Sequence, residues 1–124
     1  MTHWFLRLAT LYGVVGIGLG LYMSATNDFA WHPVHAHLNL LGWVTLALFG
    51  LFYRSHPHAA AGKLATAHFW LFVPAHFVQM ATPWLFFAGK TSVEPLLAAS
   101  SFVVGAGFLC FTGVVWRTSA SGSA

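Results

Sequence analysis

The chain has 124 residues, of which 58% are hydrophobic and only 6% charged, with a formal net charge of +3 and a mean hydropathy of +0.73. A soluble domain carries about a quarter charged residues, so there are too few here to cover a soluble surface, and the composition indicates a membrane protein of one domain. The five Lys/Arg stand against Asp28 and Glu94 at segment ends rather than on a clustered basic face, which argues against a nucleic-acid partner.

Four apolar spans are expected, each near the roughly 20 residues that cross a bilayer as helix. They run over 4–25, 33–53, 64–88 and 93–116, separated by Asn27-Asp28, by Arg54 to Lys63, and by Gly89-Lys90-Thr91-Ser92. Backbone groups in hydrocarbon must be satisfied within their own segment, so the expected fold is all-α: an integral membrane four-helix bundle over 1–117 with a disordered Ser/Gly/Ala tail at 118–124. Arg7, the Arg54–Lys63 loop and Arg117 fall on one side. The positive-inside rule puts that side, and both termini, in the cytoplasm of a multi-pass cell-membrane protein, with Lys90 the one dissenting charge. Trp4, Trp31, Trp84 and Trp116 lie near span ends, as interfacial aromatics do.

The first span is long for a signal-peptide core and is expected to stay as a helix. Its Gly13, Gly16, Gly18 and Gly20 suit close helix packing, Gly16 and Gly20 in small-xxx-small spacing, and Gly105, Gly107 and Gly113 repeat the theme in the fourth span. Both spans are expected to be scaffold. Cys110 is the one cysteine, so no intramolecular disulfide forms, and without a C-x-x-C-H any haem is held non-covalently.

The chemistry gathers in the second and third spans. The second opens with His32-Pro33-Val34-His35-Ala36-His37-Leu38-Asn39, and imidazoles heading an apolar span are functional candidates because hydrocarbon does not solvate them. On an α-helix His35 and His37 lie about 200° apart with about 3 Å of rise, so the pair addresses two different neighbours rather than one metal. Asn39 and Gly42 follow on the His35 side, and Gly42 removes a side chain where a flat macrocycle could lie. The third span carries His68, Phe72, His76 and Gln79 along one broad face. Measured along the helices, His37 lies about 25 Å from Arg54 and His76 about 20 Å from Lys63, but His68 only about 8 Å, so His76 shares the level of the H-x-H. Pro74 is expected to kink the helix beside His76. His35, His37 and His76 are therefore the candidate ligands, for haem iron or copper, with His32 and His68 in second place. His3, His56 and His58 lie in a tail or loop and are expected to be solvated.

His35-Ala36-His37-Leu38 followed by an apolar helix resembles the H-x-H helix of the haem–copper oxidase catalytic subunit. The continuation Asn39-Leu40-Leu41-Gly42-Trp43, with Ala67-His68-Phe69-Trp70 in the next span, is similar to small four-helix proteins grouped with that superfamily. The resemblance is specific over 31–54, looser over 67–70 and absent elsewhere. No tyrosine-crosslinked histidine motif and no adjacent His-His pair is present, so a complete oxygen-reducing site is not expected within one chain. The catalytic subunit has twelve helices in three arcs of four, with ligand histidines on the second helix of successive arcs. The resemblance thus implies that this chain is one four-helix arc and that a homotrimer imitates the ring. His35 of one copy and His37 of the next would then clamp a haem b at each interface, acting in electron transfer or diatomic gas chemistry with a redox partner the sequence does not name. Two other readings use the same residues: a copper-binding or transport protein drawing on His32, His35, His37, Met23 and Met80, and a non-catalytic assembly subunit whose histidines only hydrogen-bond.

Overall fold

The computed structural model describes residues 1–121. No strand occurs among them, and four long helices dominate: α1 (Thr2–Thr26), α2 (His32–Ser55), α3 (Lys63–Phe87) and α4 (Glu94–Ser121). A short turn of helix at Pro57–Ala60 and a 3₁₀ turn at Thr91–Val93 fill two of the connections.

The helix ends follow from local chemistry. α1 stops where Asn27 turns to a φ of 52°, a left-handed conformation that Asn tolerates better than most side chains. α2 begins with Pro33 in its first turn, where a missing N–H costs nothing. α3 ends in a Schellman motif. Gly89 adopts a φ of 88°, its N–H bonds the Phe86 carbonyl at 3.0 Å, and the Lys90 N–H reaches back to Leu85 at 3.1 Å. α4 opens on Glu94-Pro95, an acid against the positive end of the helix dipole and a proline where its ring fits.

Three of the four helices, α1, α2 and α4, are long and apolar enough to cross a membrane. α3 has the length, with 25 residues, but buries His68, His76, Gln79 and Thr82 among its apolar side chains. It runs on without a break through Pro74 and Pro83.

The helices group into two compact units, Thr2–Phe52 and the chain from Tyr53 onward. In the first, α1 and α2 form an antiparallel hairpin whose register can be followed pair by pair. A Cβ added at Gly20 would meet His35, one at Gly16 would meet Asn39, one at Gly13 would meet Trp43 and one at Gly50 would meet Leu6, while Phe5 rests edge-on against Phe49. In the second, α3 and α4 form another antiparallel hairpin. Their backbones approach closely at Gly107, where an added Cβ would lie 3.0 Å from the Phe72 amide nitrogen.

Two expectations change. The tail read as disordered from residue 118 is helical through Ser121, and the hydroxyls of Thr118 and Ser119 fold back onto the carbonyls of Val114 and Val115. Residues 122–124 of that tail lie outside the described residues. α2 is not a uniform α-helix: His32–His37 and Leu46–Ser55 are α-helical, but Leu38–Thr45 between them is π-helical. Bonding to the fifth residue along widens the turn, so buried positions recur every four residues at Val34, Leu38, Gly42 and Leu46. Such a stretch is uncommon and is frequently found at functional sites. Here it begins directly after His37.

Candidate functional site

His35 and His37 lie in the α-helical first turns of α2, so the 200° argument applies to them and the structure separates them as it requires. His35 is half-buried and turns toward α1, whereas His37 is exposed.

Their backbone partners fix their chemistry. His35 Nδ1 lies 2.9 Å from the carbonyl oxygen of Gly16. A carbonyl only accepts, so Nδ1 carries the proton and donates it. His37 Nδ1 stands in the same relation to the Pro33 carbonyl one turn earlier, at 2.8 Å. In a neutral imidazole the other nitrogen then holds the lone pair. Both rings therefore present Nε2 as acceptor, and no hydrogen bond among the described residues engages either Nε2. A ligating histidine characteristically donates its second ring N–H to a carbonyl or carboxylate, which sets the tautomer and the ring plane.

Asn39 braces the same turn. Its Nδ2 donates to the His35 carbonyl at 2.8 Å and sits 3.4 Å from His35 Nδ1. The glycines of α1 make room for this pair. A Cβ at Gly20 would fall 2.9 Å from His35 Cε1, and one at Gly16 would fall 2.6–2.9 Å from the Asn39 amide atoms. Two i,i+4 pairs, one of glycines and one of polar side chains, meet across the hairpin. That signal was present in the sequence as matched spacing on successive helices, but the glycines alone read as ordinary helix packing.

Gly42 has a different neighbour from the one expected. The room it leaves is filled by Tyr12, whose ring a Cβ would approach to 2.7 Å. A protein side chain, rather than open space, thus faces the backbone there.

The other candidates lie in the second unit or on the surface. His68 is fully buried and its Nδ1 shares a hydrogen bond of 2.9 Å with the Tyr53 hydroxyl, enclosed by Phe72 and Phe111. Sequence reasoning missed this pair, which joins the end of one span to the start of the next. His76 is also fully buried and stacks on Phe72, with ring centroids 5.8 Å apart and planes 15° apart. Gln79 donates to Ser101 Oγ at 2.9 Å, and the Ser101 hydroxyl donates in turn to the Leu97 carbonyl. His32 is exposed at the start of α2. Cys110 is a free, half-buried thiol.

Among the described residues no three His, Cys, Asp or Glu side chains gather as a metal-binding cluster. Each flank of α2 offers a single imidazole. A single imidazole is enough for an axial haem ligand, because a porphyrin supplies four nitrogens of its own. Comparison with protein families, with curated proteins and with solved structures returns no match for this chain.

Proposed function

We propose that this is a four-span integral membrane protein, both termini cytoplasmic, that binds b-type haem through Nε2 of His35 and His37. The observation that carries the reading is the paired tautomer: both rings of the H-x-H give Nδ1–H to a backbone carbonyl and keep Nε2 for a ligand. An exposed imidazole on a span meets either hydrocarbon, which does not solvate it, or a partner that does. His37 supports an assembly in which that partner is the haem of a second copy. His35 of one chain and His37 of the next would then ligate one haem. The homotrimer of such heterologous contacts closes as a ring, in line with the resemblance to haem–copper oxidase arcs.

When bound, the haem would supply one-electron redox chemistry or a site for a diatomic gas such as O₂ or NO. The chain's own residues orient the axial imidazoles, exclude water and hold the ring protons on Nδ1. Filled axial positions favour electron transfer, and a vacant one favours gas binding. The α3 helix crosses the bilayer with His68, His76 and Gln79 turned inside. The setting is a prokaryotic inner membrane.

The test is the visible spectrum of the purified protein together with its metal content. A sharp Soret band with resolved α and β bands on reduction, and iron without copper, supports the reading. A colourless, copper-loaded protein would replace it with copper handling, and a colourless metal-free one with an assembly role.

A further inference from the structure

We infer that α1 is part of the ligand machinery: Gly16 and Gly20 are positioning residues that set the tautomer and plane of the His35 imidazole. The inference rests on the proposal that His35 ligates haem.

Three observations carry it. The Gly16 carbonyl accepts a hydrogen bond from Nδ1–H at 2.9 Å, which selects the Nδ1–H form, whereas a free neutral imidazole in water prefers Nε2–H. The ring lies so close to α1 that a Cβ at Gly20 would stand 2.9 Å from Cε1, 3.4 Å from Nδ1 and 3.7 Å from Nε2. A methyl there presses on the edge of the ring beside the ligating nitrogen and turns its plane. A Cβ at Gly16 would instead displace the Asn39 amide, which holds the His35 carbonyl from behind. Gly18, on the same helix, would have nothing within 4 Å of an added methyl and supplies a matched control.

The consequence is electronic as well as steric. Donation from Nδ1–H to a carbonyl raises the basicity of Nε2, and outer partners of this kind change metal affinity by about 10–100-fold when lost. The two glycines tune an axial ligand from a helix that contributes no ligand itself.

The experiment compares Gly20→Ala with Gly18→Ala and measures two things. The first is the ¹⁵N NMR signature of His35 in haem-free wild-type protein, where no iron on Nε2 dictates the position of the proton. The second is haem retention and the electron paramagnetic resonance g values of the oxidised protein. The expected result is an Nδ1–H tautomer in the wild type, unchanged g values and retention in Gly18→Ala, and displaced g values with about 10-fold or greater loss of retention in Gly20→Ala. A wild-type Nε2–H tautomer overturns the inference, as does identical behaviour of the two variants. If Gly20→Ala does not fold, the wild-type tautomer still decides. If the wild type holds no haem, the functional proposal fails while the tautomer measurement continues to test the positioning.

Discussion

The hydroxyl of Tyr53 lies 2.9 Å from His68 Nδ1, and neither side chain is more than 1% exposed. This bond accounts for His68 as a structural residue tying the end of α2 to the start of α3. Tyr53→Phe leaves a buried ring nitrogen without this bond and is expected to cost about 1–3 kcal/mol, read as a lowered thermal midpoint in detergent. Haem content should be unchanged. Loss of haem in Tyr53→Phe or His68→Ala with the fold intact would move His68 into the ligand set.

Two glycines predict different outcomes on rescue. Gly42→Ala drives a methyl into the Tyr12 ring and to 2.9 Å from its Cβ, should cost about 1–3 kcal/mol, and should cost less in a Tyr12→Ala background, where the ring is gone and only the Cβ contact remains. Gly107→Ala meets the Phe72 backbone as well as its Cβ, so truncating Phe72 should recover nothing. Thermal unfolding of the four singles and two doubles checks both, and rescue of Gly107→Ala by Phe72→Ala would contradict the helix contact.

The amide of Gln79 gives an asymmetry. Ser101 spends its proton on Leu97, so the Gln79 group facing it must be the donating NH₂, and Gln79 Oε1 is buried with no hydrogen-bond partner among the described residues. Gln79→Leu removes both the bond and the unmet acceptor and should change stability by less than about 1 kcal/mol. Ser101→Ala strands the amide donor and should cost more. Equal losses in the two variants would show that Oε1 finds a donor in the membrane.

The assembly has its own signature. The pigmented protein in mild detergent should have three times the 13.5 kDa chain mass, measured by light scattering with the detergent subtracted. His37→Ala should return it to monomer, because the exposed imidazole loses the haem that joins it to the next copy. A pigmented monomer would rule out ligation between copies.

Much of this was legible in the sequence, and the reasons differ residue by residue. The helix limits follow from hydropathy and punctuation, so the expected helix ends fall within a few residues of those of α1 to α4 except at the tail, while only α1, α2 and α4 are long and apolar enough to cross a membrane. There Thr118 and Ser119 extend the last helix by bonding back to its carbonyls. The opposed directions of His35 and His37 follow from the 100° turn alone. The π-helical stretch at Leu38–Thr45 was not legible, because shifting a hydrogen bond by one residue leaves hydropathy untouched. Nor was the neighbour of Gly42: which ring fills a glycine gap depends on the register of two helices, and the Tyr12 contact exists only once that register is set. The role of Gly16 and Gly20 lay between these cases, visible as spacing but not as chemistry.

The central claim, that Nε2 of both His35 and His37 holds haem, is tested most directly by haem content per chain in His35→Ala and His37→Ala. Each is purified beside the wild type and beside His76→Ala, with fold checked by circular dichroism. The prediction is that His35→Ala and His37→Ala each lose the haem while His76→Ala, a core residue stacked on Phe72, keeps it. Full haem content in either His35→Ala or His37→Ala would contradict the claim, and its loss in His76→Ala would name the ligand that takes the missing place.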